Sequence, residues 1–356
     1  MNIAIISLYL PSISKMGVGY QVHGLANGLA RRGHHVTVFG PCPRPGDALY
    51  DVEQFDAPRP MRSLRLSWKL RAVDWSRFDV IHAHGEDWFL WNTPVPHVRT
   101  IHGSCLAEAI HIPGLRAKVH MLWLALLETI SVAAADRTIG VSMNTLASYP
   151  WIAEMIPNGV DLQTFRPGEK DSTPAILFVG TYRNRKRGKM LMEIFAREIR
   201  PRIPDCRLWM VCSDAPAAEG VTVFGSLPTE KLADLYRRAW VFCLPSSYEG
   251  FGVPYVEAMA SGTAVVATPN LGAREVLSDG RFGIIAQPGE LGAALVRLLT
   301  DAGQRARLAG AGMRRARDFD WPRVLDQYER VYSDLLGCNA NSWPPPLPSP
   351  ATRNAE

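Results

Sequence analysis

The stretch that decides the fold reads Ser246-Ser247-Tyr248-Glu249-Gly250-Phe251-Gly252-Val253-Pro254-Tyr255-Val256-Glu257-Ala258-Met259-Ala260-Ser261-Gly262. It follows Trp240-Val241-Phe242-Cys243-Leu244, an apolar run that predicts a buried strand. Pro254 suits the first position of a helix, where its missing N–H would have been unpaired anyway. Strand, glycine-rich loop and helix follow in that order. Backbone N–H groups at such a helix start converge on an anion, helped by the positive end of the helix dipole. Glu249 on the loop and Glu257 one turn into the helix add acceptors for hydroxyl groups. Diphosphate plus sugar hydroxyls is the ligand chemistry this arrangement suits. An ordinary capped glycine turn with two solvent-facing glutamates is the bland rival.

A second phosphate-directed string lies upstream. Gly180-Thr181-Tyr182-Arg183-Asn184-Arg185-Lys186-Arg187-Gly188 follows the apolar run Ala175–Val179 and opens a helix. Its cations can meet developing phosphate charge. A solvated basic loop is the alternative.

Together these strings resemble the donor site of retaining glycosyltransferases of the GT-B fold, family 4 (GT4), where a Glu, seven residues and a second Glu are read with a GFG turn. The resemblance implies two Rossmann-like α/β domains with parallel sheets facing a central cleft. It further implies that Glu257 binds ribose, that Glu249 approaches the donor sugar, and that amides of Gly250, Phe251, Gly252 and Val253 hold the diphosphate. Lys186 or Arg187 matches the family's lysine. Thr181 stands where many members carry Arg, so the second cation is left to Arg183 or Arg185. Gly19, in Lys15-Met16-Gly17-Val18-Gly19-Tyr20, would pack against donor or acceptor or simply make a tight turn. Thr100-Ile101-His102-Gly103 resembles the family's T-x-H segment, with His102 beside the transferred sugar, and Glu108 is near enough in sequence to join it or to cap a helix. Pro157-Asn158-Gly159-Val160-Asp161, a turn-rich hinge candidate, resembles the Pro-Asn-Gly-Val-Asp at the family's domain junction.

At 356 residues the chain exceeds the usual reach of one core, which predicts two domains. Alternating apolar and amphipathic runs place strands at Ile3–Ser7, Val36–Phe39, Val80–Ala83, His97–Ile101 and Arg137–Val141, then at Ala175–Val179, Arg207–Val211, Trp240–Leu244 and Ala264–Ala267. Helices are expected at Tyr20–Arg32, Leu115–Ala135, Gly188–Ile199, Pro228–Arg238, Glu290–Thr300, Ala302–Arg317 and Trp321–Leu336. The predicted organisation is an acceptor-side domain over 1–160, a nucleotide-sugar domain over 161–320, a helix over 321–337 that by resemblance crosses back to the first domain, and a disordered Asn-, Pro- and Ser-rich tail over 338–356.

Several readings are set aside. Met1–Ile6 lacks a basic lead and reads as a strand rather than a signal peptide. Leu115–Ala135, interrupted by Arg116, Lys118, His120 and Glu128, reads as too polar to span a bilayer. The six cysteines show no zinc spacing and predict free thiols. His82-Ala83-His84 reads as core rather than as a metal pair, and Asp318-Phe319-Asp320 as a helix cap. No metal or other cofactor is expected; the nucleoside-diphosphate sugar is a donor substrate. The net charge of +5 is weak evidence for any partner, and no nucleic-acid motif is present. Arg59 to Arg77 interleaves cations with Leu64, Leu66, Trp68 and Leu70, which suits a solvated face or, as the minority alternative, a helix on an anionic membrane. The expected place is the cytoplasm, with the inner membrane face as that alternative. The acceptor (a glycan, a lipid-linked sugar or a small molecule) is left open. A nucleotide-sugar epimerase and a non-catalytic nucleotide-sugar-binding protein on the same fold are the rival functions.

Overall fold

The structure is a computed structural model and describes residues 1–12, 16–58, 61–106, 114–152 and 154–337. Lys15, Arg59, Glu108 and the 338–356 segment lie outside the described residues. The chain divides into two compact units. Met1–Gly159 joined by the chain from Trp321 onward forms the first, and Val160–Asp320 the second.

The first unit carries strands β1 (Asn2–Ile6), β2 (His35–Gly40), β3 (Asp51–Gln54), β4 (Val80–Ala83), β5 (His97–Ile101), β6 (Arg137–Gly140) and β7 (Glu154–Met155). Its helices are α1 (Gly17–Arg31), α2 (Arg62–Leu70), α3 (Leu115–Ala134), α4 (Met143–Ser148) and the terminal helix Trp321–Leu336. The strands form one parallel sheet in the order β3-β2-β1-β4-β5-β6-β7. Because the order reverses between β1 and β4, the connections leave a crevice at the carboxyl ends of those two strands, where α/β ligands collect.

Alternation along each strand assigns the two faces. Ile3, Ile5, Val36, Val38, Val80 and Val98 pack against Val22, Leu25 and Leu29 of α1 and against Val324, Tyr328 and Tyr332 of the terminal helix. Glycine lets α1 and that helix approach closely, since a Cβ on Gly24 would stand 2.4 Å from the Trp321 ring. Ala4, Ile6, Ile81 and Ala83 face the other way, onto Leu66 and Leu70 of α2 and onto Trp75. Helix α3 joins α2 on this second face. Ala83 pairs with Arg99, Ile101 is on the same side two residues on, and Val132 of α3 packs against Ile101.

Helix α3 corrects one expectation. By length and composition it is long and apolar enough to cross a membrane, because its cations crowd the first turns. One side of it is nevertheless committed to the unit, with Ala125, Leu127, Ser131 and Val132 buried. Its buried Glu128 accepts from the Cys105 N–H across 2.9 Å and from the Tyr149 hydroxyl.

The second unit repeats the scheme with β8 (Ala175–Val179), β9 (Arg207–Val211), β10 (Val221–Phe224), β11 (Val241–Leu244), β12 (Ala264–Ala267) and β13 (Ile284–Ile285). Its helices are α5 (Gly188–Ile194, continued by a wider turn over Phe195–Ile199), α6 (Thr229–Arg238), α7 (Val253–Ala260), α8 (Leu271–Val276), α9 (Leu291–Thr300) and α10 (Ala302–Ala316). The parallel order is β10-β9-β8-β11-β12-β13, with its reversal between β8 and β11. Pro254 is the second residue of α7 rather than the first, because the helix begins at Val253. The five cysteines among the described residues, Cys42, Cys105, Cys206, Cys212 and Cys243, are free.

Candidate functional site

In the second unit the two strings singled out from the sequence leave neighbouring strands at the reversal point. The Gly180–Gly188 loop follows β8 and the Glu249 loop follows β11. They are stitched together. Arg185 donates from its guanidinium to the Tyr248 carbonyl at 2.9 Å, and its own carbonyl accepts from the Ser247 N–H at 2.8 Å and the Ser246 hydroxyl at 3.1 Å. Lys186 Nζ donates to Glu249 Oε1 at 2.6 Å, and Arg185 Nη1 stands 3.4 Å from Glu249 Oε2. Of the two candidates for the lysine position, Lys186 therefore meets the carboxylate. Arg187 instead takes a left-handed backbone (φ 55°) at the entrance to α5. Of the two candidate second cations, Arg185 is the one drawn in. Thr181 is exposed and turns back onto the Arg183 carbonyl.

The glycine loop has little freedom. Gly252 lies at φ 102°, and a Cβ there would stand 2.5 Å from the Tyr255 ring. Behind it, Asn270 caps α8 by accepting from the Ala273 N–H, and donates to the Ser246 carbonyl and the Tyr255 hydroxyl. Gly272 allows that helix to approach, since a Cβ on it would touch the Phe251 carbonyl at 2.5 Å. The Phe251 side chain is buried against Phe319, so this residue can offer a ligand only its backbone. Gly250 is half-buried at the loop tip, and Val253 supplies the first N–H of α7.

Electrostatics separate the carboxylates. Glu249 is buried but held by two cations. Burial pushes the Glu257 carboxyl up to about 7, opposed by the Tyr236 hydroxyl, which donates to its Oε2 at 2.9 Å, and by Lys186. Burial also lowers the Lys186 ammonium, against the pull of Glu249 and Glu257. Tyr236, on α6, is a partner that sequence reading missed.

The first unit presents a separate constellation at its own reversal point. His102, just beyond β5, has its Nε2 2.8 Å from His84 Nδ1, just beyond β4, and the rings stack with centroids 5.1 Å apart. Asn158 also hydrogen-bonds His102 through its side chain. Burial holds His102 near about 4, despite Asn158. It is therefore neutral at physiological pH, a hydrogen-bonding group rather than a cation. His84 Nε2 is buried with no hydrogen-bond partner among the described residues, and His84, His102, Asn158 and Tyr328 border a cavity of about 10 Å³, room for one water. His82 is core: it bonds the Tyr332 hydroxyl at 2.6 Å and Thr100 Oγ1 at 2.8 Å. His82 and His84 thus part company, and only the second reaches His102. Among the described residues no group of three or more His, Cys, Asp or Glu side chains is arranged to hold a metal ion. Asp318 pairs with Arg315.

Gly19 sits in the first turn of α1, where a Cβ would stand 3.1 Å from the Tyr9 carbonyl carbon; the glycine lets the helix start lie against the loop after β1. On the neighbouring loop after β4, Glu86 adopts φ 62°, receives the Ser63 hydroxyl at 3.2 Å and the Leu8 backbone, and is raised by burial to about 7. A left-handed, perturbed carboxyl at a switch point is a functional candidate. The sequence held no local sign of it.

Comparison with known proteins agrees with both units. Residues 16–164 match a family model described as Glycosyltransferase Family 4, and residues 173–301 one described as Glycosyl transferases group 1. The chain is 33% identical over 231 residues to a phosphatidyl-myo-inositol mannosyltransferase of Mycobacterium tuberculosis, covering 59% of this chain and 60% of that protein. The chain thus spans three-fifths of that relative's length. It is 27% identical over 308 residues to D-inositol 3-phosphate glycosyltransferase 1 of Catenulispora acidiphila, covering 73% of each. Among solved structures, Anabaena HepE in complex with UDP-glucose superposes with a TM-score of 0.75 at 18% identity, over 94% of this chain and 100% of that one. That last likeness concerns the fold.

Proposed function

Because the chain belongs to glycosyltransferase family 4 and has the two parallel-sheet α/β units of the GT-B fold, we propose that it moves a sugar from a nucleoside-diphosphate donor to an acceptor hydroxyl with retention of anomeric configuration. The observation that carries this reading is the convergence of Lys186, Arg185 and Glu249 beside the start of α7, at the strand reversal of the second unit.

In this reading the N–H groups of Phe251, Gly252 and Val253 hold the diphosphate and Glu257 accepts from the ribose hydroxyls. Glu249 takes hydroxyls of the donor sugar. As the C1–oxygen bond to the diphosphate breaks, negative charge grows on the leaving phosphate, and Lys186 with Arg185 stabilises it. The acceptor oxygen bonds to C1 on the same face, and its proton passes to the departing phosphate oxygen. That route needs no protein nucleophile and leaves no proton for a histidine to take, which suits a His102 held neutral. Lys186 and Arg185 can supply the positive charge that a metal ion would otherwise bring, so we propose no metal requirement.

The relatives named above act on phosphatidyl-myo-inositol and D-inositol 3-phosphate, which makes a phosphorylated inositol, free or lipid-borne, the acceptor class to try first. With a nucleotide sugar as its donor, the cytoplasm is the proposed place of work. The test is turnover followed by proton NMR, with UDP-, GDP-, ADP- and TDP-sugars offered together with D-inositol 3-phosphate or phosphatidylinositol. An early product with the donor's anomeric coupling supports the proposal. An inverted product, or epimerised donor with no transfer, contradicts it.

A further inference from the structure

Helix α3 turns an apolar stripe toward water. Leu115, Val119, Leu122, Trp123, Leu126 and Ile130 line one side of it and are exposed, from 41% at Ile130 to 78% at Leu115. Their three- and four-residue spacing puts them on one face over about 25 Å of helix. The opposite side is the one packed into the unit. A continuous apolar surface of that extent marks an interaction face.

The exposed charge carried by α2 and α3 themselves has a single sign. Arg116, Lys118 and His120 on α3 are exposed, while its one acid, Glu128, is buried. Helix α2, on the same face of the sheet, contains no acid and presents Arg65 and Lys69, with Arg71 just beyond. Trp68 of α2 is 60% exposed, with the Arg71 guanidinium 4.5 Å over its ring. Edge-to-face contacts run from Trp68 to Phe89 and on to the exposed Trp91. Cations with apolar stems, tryptophan rings and an aliphatic stripe together match the layered chemistry of a bilayer surface: anionic headgroups outside, acyl chains beneath. A second copy of the chain would instead bring these cations against each other.

We propose that the outer face of α2 and α3 docks the first unit onto an anionic lipid bilayer, with α3 lying in the plane of the surface and its stripe among the acyl chains. This goes beyond the transferase reading and does not rest on it.

The test is co-sedimentation of the full chain with vesicles of pure phosphatidylcholine and of phosphatidylcholine containing phosphatidylglycerol. The wild type is expected to pellet with the anionic vesicles. Leu122→Glu and Trp123→Glu should each weaken that partition by about tenfold or more, since each removes a large side chain from the apolar layer. Arg65→Glu with Lys69→Glu should weaken it in a salt-dependent way. All these positions are exposed, and an unchanged melting temperature shows that each variant is folded. The proposal is overturned if the wild type ignores anionic vesicles, or if the α3 variants bind as well as it does. Equal binding to pure phosphatidylcholine overturns the role of charge. A micromolar dimer that the same substitutions dissociate would assign the face to a second copy and overturn the proposal. A nucleotide-induced melting shift, measured on the same samples, reports the donor site separately.

Discussion

Lys186 donates to Glu249 across 2.6 Å, the side-chain ion pair at the centre of the contacts that join the loops leaving adjacent strands β8 and β11. The cation suited to a leaving diphosphate is thus held in place by the carboxylate suited to the donor sugar. Binding a donor must share Lys186 between the two.

Lys186→Ala should therefore lower kcat by on the order of 10² to 10³, the usual loss when one group that stabilises developing charge is removed. It also leaves Glu249 buried with only Arg185 near it, which costs stability of about 3 kcal/mol. Lys186→Arg keeps the charge and should restore stability more than rate, because a planar fork does not reproduce a point charge. Steady-state kinetics and denaturant titration separate the two effects. A Lys186→Ala enzyme within threefold of wild-type kcat would remove this residue from the mechanism.

If Glu257 holds the ribose as proposed, it should set a pH dependence for donor binding. Its carboxyl is raised to about 7 by burial, and only the ionised form accepts two ribose hydroxyls well. Nucleotide affinity should rise between pH 6 and pH 8, by at most about tenfold per unit on the acid side. Tyr236→Phe removes a donor to the carboxylate and should move that rise to higher pH. Glu257→Gln should flatten it. Calorimetric titration at several pH values reads all three, and an unchanged midpoint in Tyr236→Phe would separate Tyr236 from the site.

Gly252→Ala should damage the loop from within. The backbone at φ 102° disfavours any L side chain, and the new methyl would meet the Tyr255 ring. A loss of about 1–3 kcal/mol is expected, together with weaker nucleotide binding, and a melting curve with and without nucleotide measures both. Wild-type stability and affinity would show that the turn is free to rearrange.

Acid should destabilise the first unit. Burial lowers His82 to about 3 and His97 and His102 to about 4, and lowers His84 well below its ordinary value. Unfolded histidines titrate near about 6.5, so between that pH and about 4 the unfolded chain binds more protons. Stability present above pH 6.5 is then lost as pH falls, by up to about 1.4 kcal/mol per pH unit for each histidine. Denaturant unfolding at pH 7 and pH 5 should show the drop, and His82→Gln should reduce its slope. Equal stability at the two pH values would mean that these rings titrate normally.

What the sequence made legible follows burial and chain proximity. Ala175–Val179, Val241–Leu244 and Ala264–Ala267 are central strands covered on both faces, so they read as unbroken apolar runs. Asp51–Gln54, Glu154–Met155 and Val221–Phe224 are short edge strands with no fully buried residue, and went unread. The two loops of the proposed donor site were legible because each is one contiguous string. The partners were not. Tyr236 is twenty-one residues from Glu257, and nothing in its surroundings marks it. His84 sits in a motif that reads as core, and only folding β4 beside β5 brings it to His102. Arg99 lies mid-strand and fully buried, paired with Asp87, an arrangement no periodicity announces.

The central claim is that the second unit binds a nucleoside-diphosphate sugar through Glu257 and the glycine loop. The most direct test is calorimetric titration of UDP-, GDP-, ADP- and TDP-sugars into the wild type and into Glu257→Ala. The account predicts that one nucleotide class binds the wild type and that Glu257→Ala loses at least about tenfold in affinity, the equivalent of one good hydrogen bond to a charged acceptor. Binding of none of the four, or equal binding by both proteins, would contradict it.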